Sequence, residues 1–257
     1  MIETLAKKIR QSAKRFTAGS ATTEGLPSSA LQCVIASNKF GSYCVPKASL
    51  HRPAARAILQ AGVWEPETIA FIRDRCGSGD IVHAGTYFGD FLPGICAALA
   101  DGAMVWAFEP NSENYRCASV TVKLNGLENR IKLTHAALGP VPGTVKISVL
   151  SDSGHPLGGA SHIGGTGNES VAQIALDAFV PAERRVSILQ LDVEKYEEMA
   201  LRGAEKLIRR DRPILILETN PTGEWFDGLL EECGYVFERN LAENSAFVAG
   251  GERFKHA

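Results

Sequence analysis

The chain has 257 residues, of which 45% are hydrophobic and 22% charged, and its net charge is −2. This is the composition of an ordinary globular protein that can bury a sizeable core, and it gives no support to binding of nucleic acid or of an anionic membrane. An apolar leader and a membrane-length apolar run are both missing, so neither a signal peptide nor a membrane span is predicted. The six cysteines lack CxxC spacing, which favours buried free thiols in a reducing, cytoplasmic compartment.

Residues 1–77 are predicted to be an N-terminal extension of the main domain. Its parts are distinguished by apolar residues at helical spacing, by a stretch rich in Gly and Ser, and by a helix start that contains a proline. The predicted elements are a helix over 2–16, a linker over 17–29, strands over 33–37 and 43–45, and a helix over 66–75 that stops at Gly77.

Residues 78–257 are predicted to form the main domain, an α/β fold of the Rossmann-like type. Strands are predicted over 81–84, 104–108, 131–138, 144–150, 171–176, 186–191, 214–217, 235–237 and 246–248. Helices are predicted over 88–99, 112–125, 196–209 and 225–233. This alternation indicates a mostly parallel sheet with right-handed crossovers, closed by an antiparallel pair of strands. The segment Ser151–Ser170, with its six glycines, is predicted to be a long loop.

A cofactor pocket is predicted where the first strand of the main domain ends. Gly85 and Gly89 follow that strand, and the second strand ends in Glu109, which can accept hydrogen bonds from both hydroxyls of a ribose. The spacing differs from the G-x-G-x-x-G pattern of dinucleotide sites and suits a smaller group, such as an amino-acid carboxylate. Each residue alone is explained better by a turn or a surface acid, but together and in this order they favour a cofactor site, which fits S-adenosylmethionine at least as well as NAD.

Four segments occur in an order and spacing that resembles the FkbM-like family of S-adenosylmethionine-dependent methyltransferases. They are GDIVHAGTYFGDF, AFEPNSENY, LNGLEN and DVEKYEEMALRGAEKLI, within roughly residues 62–218. The resemblance implies the class I methyltransferase fold, a seven-stranded, mostly parallel sheet with an antiparallel last strand. It also implies O-methylation of a hydroxyl, often on a sugar or a polyketide.

The resemblance also assigns cofactor contacts. Gly85, Tyr87 and Gly89 would line the methionine end, Glu109 would hold the ribose, and His135 with Ala136 would lie near the adenine. The full set of predicted cofactor-binding residues is His83, Gly85, Tyr87, Gly89, Glu109, Pro110, Asn111, His135, Ala136 and Asp192.

Two positions depart from the family pattern. His83 stands where the family usually has an aspartate that anchors the cofactor ammonium, and Lys195 stands where it usually has glycine. A neutral histidine can accept one hydrogen bond but offers no negative charge. A non-catalytic protein that binds S-adenosylmethionine is therefore an alternative. A nicotinamide-dependent oxidoreductase is a weaker one, because its glycine pattern is missing.

Acidic residues follow two strands that should be neighbours in the sheet. Asp192 follows the strand 186–191, and Glu218 with Asn220 follows 214–217. Since carboxyl ends of parallel strands meet at one edge, Asp192 and Glu218 should face the same cleft and are candidate catalytic residues. With Asn220 they could also bind Mg²⁺, which prefers oxygen ligands. The structural alternative is that Glu194 caps the next helix and that Glu218 accepts a hydrogen bond from a ligand-binding residue without contacting the ligand itself.

Two histidines of the loop Ser151–Ser170, His155 and His162, are further candidate bases. A glycine-rich lid could carry either one over the substrate, although a loop histidine is more often a surface residue. The expected partner is a hydroxyl of a small molecule or glycan. No nucleic-acid or membrane partner is expected, and a homo-oligomer is compatible with the sequence.

Overall fold

The computed structural model describes residues 30–164 and 167–250. The predicted helix over 2–16 and the linker over 17–29 lie outside these residues. The strands are β1 (Cys33–Asn38), β2 (Gly41–Pro46), β3 (Asp80–Ala84), β4 (Val105–Phe108), β5 (Ile131–Thr134), β6 (Ala137–Leu138), β7 (Gly143–Ser148), β8 (His162–Ile163), β9 (Glu169–Ile174), β10 (Val186–Leu191), β11 (Ile214–Leu217), β12 (Tyr235–Leu241) and β13 (Asn244–Ala249). The helices are α1 (Pro53–Leu59), α2 (Pro66–Arg75), α3 (Leu92–Cys96), α4 (Ser112–Leu124), α5 (Leu176–Phe179), α6 (Glu197–Arg202), α7 (Glu205–Asp211) and α8 (Glu224–Cys233).

Seven strands form the central sheet, in the order β12-β13-β11-β10-β3-β4-β5. All neighbouring pairs from β11 to β5 are parallel, whereas β13 is antiparallel to both β11 and β12. This arrangement confirms the predicted α/β class I methyltransferase fold with an antiparallel last strand. The chain order reverses between β3 and β10, so a crevice opens beyond the carboxyl ends of these two strands, where ligands of open α/β sheets bind.

Apolar layers cover both faces of the sheet. On one face Val82 and Leu189 pack with residues of α6, α7 and α8. On the other face Ile81 and Ile188 pack with residues of α2 and α3. Side chains of a strand alternate between the two faces, so a strand covered on both sides needs apolar residues at successive positions, as in Ile81–Val82 of β3 and Ile188–Leu189 of β10.

A second, four-stranded sheet follows β5, in the order β6-β9-β7-β8. The predicted single strand over 131–138 is therefore wrong, because the chain leaves the central sheet after Thr134 and joins the small sheet at Ala137. The segment predicted as a loop is also partly ordered: it contains a 3-10 turn at Gly158–Ala160, strand β8 and the start of β9. This small sheet carries the 3-10 turn against the crevice.

Two predicted helices are shorter than expected. The helix predicted over 88–99 begins only at Leu92, because Tyr87 and Gly89 have φ angles of 53° and 84° and lie outside helical conformation. The helix predicted over 196–209 is divided at Gly203 into α6 and α7. A Cβ at Gly203 would overlap the carbonyl oxygen of Gly139, so the helix pair touches the small sheet's connection at this point.

The N-terminal hairpin β1–β2 packs on α4 through side-chain hydrogen bonds. The backbone N–H of Ser42 donates to Asn125 Oδ1 at 3.0 Å, and that of Cys44 donates to Thr121 Oγ1 at 3.0 Å. The described residues from Leu31 to Gly250 form one compact unit, and α1 follows the hairpin to the rim of the crevice. Its six cysteines are free thiols. Among the described residues, none of the helices is long and apolar enough to cross a bilayer.

Candidate active site

A cavity of about 280 Å³ occupies the crevice beyond the carboxyl ends of β3, β4, β10 and β11. The aligned strand ends form its floor: the N–H of Asp192 donates to Ala84 O, and that of Glu218 donates to Leu191 O, both at 3.1 Å. Residues that line it from the sheet side are His83, Gly85, Tyr87, Asp90, Glu109, Pro110, Gln190, Asp192, Glu194 and Glu218. Arg52, Pro53, Glu65, Gly159, Ala160, Ser161 and Glu243 lie on the opposite walls.

The glycine loop after β3 is shaped by close backbone packing. Gly85 has a φ of 82°, and a Cβ at this position would overlap the carbonyl oxygen of Asp192. The N–H groups of Gly85 and Thr86 both donate to Phe108 O at 3.1 Å, which fixes the loop to the end of β4. The loop therefore depends on glycine at 85 both for its backbone conformation and for the approach of β10.

Glu109 is almost fully buried, with 4% of its surface exposed, and lies where the ribose of a nucleoside is expected. Its carboxylate accepts hydrogen bonds from the backbone N–H of Tyr87 at 2.7 Å and of Asn111 at 2.9 Å. Burial raises its pKa to about 8, while these N–H donors and the Asn114 amide favour the ionised form. Oε1 also accepts from Asn114 Nδ2 at 3.4 Å, whereas Oε2 accepts only from Tyr87, so Oε2 keeps a lone pair for a ligand hydroxyl.

Asn111, predicted as a cofactor contact, caps a helix in the structure. Its Oδ1 accepts from the N–H groups of Glu113 at 2.9 Å and Asn114 at 3.1 Å, at the start of α4. Its Nδ2 donates to Ser161 Oγ at 2.9 Å, which ties the cap to the turn on the opposite wall. Pro110, by contrast, lines the cavity directly.

His83 lies in the cavity wall with 2% of its surface exposed. Its Nδ1 is hydrogen-bonded to Oε1 of Gln190, the residue that pairs with His83 on the neighbouring strand β10. The imidazole ring of His83 stacks on the ring of Phe91, with the two centroids 5.3 Å apart. Desolvation lowers the pKa of His83 to about 4, so the ring is neutral at physiological pH. Nδ1 carries the proton in this arrangement, and Nε2 is left as a buried acceptor without a partner among the described residues.

Asp192, Glu194 and Glu218 form an acidic cluster in which one carboxylate oxygen of each residue lies within 4.8 Å of those of the other two. Burial raises the pKa of Asp192 well above its usual value, and the charge of Glu218 raises it further. Burial also raises the pKa of Glu194 to about 7. Such a cluster shares a proton at neutral pH unless a cation compensates its charge, so an ionised member is a stronger base than an isolated carboxylate, and the cluster can also act as a cation site.

The acidic cluster differs from the predicted set of residues. Asp192 and Glu218 lie together, but Asn220 is turned away and donates to Ser245 Oγ at 3.0 Å. Glu194 takes its place, because Glu194 and Lys195 have φ angles of 55° and 70° that turn the chain back after β10. The left-handed conformation at Lys195 also explains why glycine suits this position.

The predicted histidines and the adenine contacts lie at the edge of the site or outside it. His155 is exposed and does not line the cavity. His162 is also exposed, but it lies near enough to Glu194 for its charge to lower the pKa of Glu194. His135 stacks on Tyr115 outside the cavity, and Ala136 is buried behind it. The next two residues, Ala137 and Leu138, line the cavity instead.

Several lining residues were not predicted from the sequence. Glu65, Asp90, Gln190, Arg52 and Glu243 carry polar side chains into the cavity. For Gln190 the sequence contains a recognisable signal, because a glutamine inside a mostly apolar buried strand needs a polar partner and so indicates a polar site nearby. Glu65 and Arg52 gave none, since their approach to the crevice depends on how α1 and α2 pack on the sheet.

Comparison with known proteins agrees with this geometry. The family profile described as Methyltransferase FkbM domain matches residues 83–237, more than half of the chain. A search of curated proteins gives no match. Among solved structures, the methyltransferase FkbM of Methylobacillus flagellatus KT shares 15% identity at a TM-score of 0.49, over 66% of this chain and 43% of that chain.

Two further solved structures resemble this chain at comparably low sequence identity. A methyltransferase of Geobacter sulfurreducens shares 16% identity at a TM-score of 0.42, over 78% of this chain and 86% of its own. The Pyrococcus abyssi tRNA (uracil-54, C5)-methyltransferase in complex with S-adenosyl-L-homocysteine shares 12% identity at a TM-score of 0.44. The match covers 85% of this chain and 43% of that chain. These similarities are too distant to bear on substrate or activity. The match to the family profile identifies the chain as a member of the FkbM family of methyltransferases.

Proposed function

We propose that the protein transfers the methyl group of S-adenosylmethionine to a hydroxyl oxygen of a small molecule, such as a sugar or a polyketide. The observation that carries the proposal is one cavity with a nucleoside acceptor, Glu109, on one side and the Asp192–Glu218 pair on the other. This arrangement supports a cofactor site and a proton acceptor that share one cavity.

The residues around the glycine loop fit the cofactor. Oε2 of Glu109 has a free lone pair for a ribose hydroxyl, and Gly85, which also lines the cavity, presents no side chain to the methionine part. Ala137 and Leu138 supply an apolar wall for the adenine. When bound, S-adenosylmethionine supplies an activated methyl group on its sulfonium.

The Asp192–Glu218 pair supplies the proton acceptor. In the transfer, a bond forms between the acceptor oxygen and the methyl carbon while the carbon–sulfur bond breaks, and S-adenosylhomocysteine is released. The hydroxyl proton passes to the ionised carboxylate of Asp192, whose pKa is raised by burial and by the charge of Glu218, which makes it a stronger base than an isolated carboxylate. A positioned base of this kind contributes about 10²–10⁴-fold, and positioning of the two reactants in the cavity contributes the remainder.

A Mg²⁺ ion at Asp192, Glu194 and Glu218 is the alternative way in which this cluster can act. The three carboxylates are oxygen ligands of the kind that Mg²⁺ prefers, and an ion there would lower the pKa of a bound substrate hydroxyl. Removal of divalent ions with EDTA distinguishes the two forms. Activity that survives EDTA supports the carboxylate base, and activity restored only by added Mg²⁺ supports the metal.

The acidic walls also bear on the acceptor. Glu65, Glu194, Glu218 and Glu243 all line the cavity, with Arg52 as the only lysine or arginine among the described lining residues. Carboxylates repel phosphates, so this cavity favours a neutral or cationic small molecule over a nucleic acid.

The test is methyl transfer from radiolabelled S-adenosylmethionine to a panel of sugar and polyketide hydroxyl compounds. Glu218→Gln should lower kcat about 10²–10⁴-fold while affinity for S-adenosylhomocysteine stays within a few-fold. Glu224→Gln, an exposed carboxylate at the start of α8, is the matched control and should leave turnover unchanged. Tight binding of S-adenosylhomocysteine without methylation of any acceptor would instead support the non-catalytic alternative.

A further inference from the structure

Three of the six cysteines converge beside the N-terminal hairpin. Cys33 lies on β1, Cys44 on β2 and Cys117 on α4. Cys44 and Cys117 belong to one buried apolar cluster, and Cys33 packs against it. None of the three is among the residues that line the cavity, so the proposed chemistry leaves this group of thiols without a role.

The strand register places Cys33 and Cys44 on the same face of the hairpin. Cys33 pairs with Pro46 and Cys44 pairs with Ile35, which makes the two cysteines diagonal neighbours. Residues two positions apart on a strand share a face, so both thiols lie on one side of the hairpin. The N–H of Cys44 is directed to α4 and away from β1, and side chains are closer together in antiparallel pairs of this type.

The contact between β2 and α4 brings Cys117 to the same place. The N–H of Cys44 donates to Thr121 Oγ1 at 3.0 Å. Cys117 precedes Thr121 by four residues, about one helical turn, so both lie on the side of α4 that meets the hairpin. Burial raises the pKa of Cys44, and the neighbouring thiols of Cys33 and Cys117 raise it further. Cys44 is therefore the shared neighbour of the other two thiols.

The three thiols differ in their access to solvent. Cys44 and Cys117 both expose 0% of their surface, whereas Cys33 is half-buried. Burial raises the pKa of Cys117 as well as that of Cys44, so neither buried thiol is a good nucleophile towards a reagent from solvent. A reagent therefore reaches the cluster at Cys33.

We propose that these three cysteines form a thiol-oxidation site, at which a hydroperoxide converts Cys33 and Cys44 into a disulfide. In the first step the sulfur of Cys33 attacks hydrogen peroxide: an S–O bond forms, the O–O bond breaks, and water leaves with the thiol proton. In the second step the sulfur of Cys44 attacks that of Cys33. The S–S bond forms as the S–O bond breaks, and a second water leaves with the Cys44 proton.

The hairpin is suited to this bond. Diagonal neighbours on paired strands have Cα atoms about 7–8 Å apart, and a disulfide needs them within about 7 Å, so β1 has to move slightly towards Cys44. Among the described residues β1 pairs only with β2, and no third strand restrains this movement. Cys117 supplies a third thiol that can attack the bond at Cys44 and release Cys33 by exchange.

The test is peptide mass spectrometry of the full-length protein after treatment with hydrogen peroxide and alkylation of the remaining thiols. Trypsin separates the two cysteines, since it cuts after Lys39 between them. We expect a cross-link between the Cys33 and Cys44 peptides that dithiothreitol removes. Cys117→Ser should still form this bond, whereas Cys44→Ser should leave Cys33 as a sulfenic acid that dimedone traps.

The entry role of Cys33 is tested with a matched control. Cys33→Ser should slow the oxidation of Cys44 at least about 10-fold, because the remaining two thiols are buried. Cys96→Ser removes a buried thiol of a different apolar cluster and should behave as the wild type. Oxidation of Cys44 at the wild-type rate in Cys33→Ser overturns the proposal.

The wild type alone also gives a decisive result, whether or not the variants fold. If peroxide converts Cys33 to sulfinic acid while Cys44 stays reduced, the proposal is wrong. Resistance of both thiols to peroxide concentrations that oxidise the exposed methionine or thiol of a reference peptide overturns it as well. The measurement needs neither cofactor nor acceptor, so its outcome is independent of the proposed methyl transfer.

Discussion

At the scale of single residues, Glu109 is the most direct test of the cofactor site. Glu109→Gln keeps the size of the side chain but replaces one acceptor oxygen with an N–H₂ group that opposes a backbone N–H donor. We expect the affinity for S-adenosylhomocysteine to fall about 10- to 100-fold, as measured by calorimetry. Glu113→Gln, in the first turn of α4, is the control. Equal affinity in wild type and Glu109→Gln would contradict a ribose contact.

Asp80 shows a different residue-scale effect, on stability. Its buried carboxylate forms an ion pair with Arg184 and accepts hydrogen bonds from Trp106 Nε1 at 2.8 Å and the N–H of Met104 at 2.9 Å. Asp80→Ala leaves these donors unpaired and should lower the free energy of unfolding by about 3–5 kcal/mol in urea titrations. Glu198→Ala breaks only a half-exposed pair with Arg202 and should cost less than about 1 kcal/mol. Similar losses for both variants would refute this difference.

At the scale of elements, the contact between the glycine loop and the end of β10 can be tested with two matched glycines. Gly85 and Gly102 have similar φ angles of 82° and 78°, so alanine carries a comparable backbone penalty at both, about 1–2 kcal/mol. Only at Gly85 would the added Cβ overlap Asp192, whereas nothing lies within 4 Å at Gly102. Gly85→Ala should therefore unfold at clearly lower urea concentration than Gly102→Ala and lose cofactor binding. Equal urea midpoints for the two variants would show that the end of β10 can move away from the added Cβ at position 85.

The elements also show how far the sequence could predict the structure. Strands β10 and β11 were predicted with the observed bounds, because a mostly apolar run such as the Ile214–Leu217 segment of β11 is typical of a buried parallel strand. The break between β5 and β6 was missed, since the residues on both sides have strand character and only tertiary packing separates them. The site shows the same limit: Glu109 followed from its position after a strand, while Asp90 and Glu65 converge on the cavity only through loop conformation and helix packing.

At the scale of the whole molecule, the protein concentrates carboxylates in one cavity, and this should control its pH stability. Burial raises the pKa of Asp90 and Glu194 to about 7 and of Glu109 to about 8. The folded state therefore binds more protons than the unfolded state from about pH 4 upward, and stability falls as the pH rises towards these values. His83, with its pKa lowered to about 4, acts in the opposite direction only below about pH 6.5.

Thermal unfolding of the ligand-free protein measures this balance. Between pH 5.5 and pH 8.0 the raised carboxyl pKa values should remove a few kcal/mol in total, which corresponds to a fall in Tm of about 10 °C. Asp90→Asn cannot ionise at this position, so its Tm should fall less than that of the wild type over the same interval. The Glu224→Gln variant, which removes an exposed carboxylate outside the cavity, should follow the wild-type curve. A Tm that rises from pH 5.5 to 8.0 would show that the cavity carboxylates are already compensated in the folded protein.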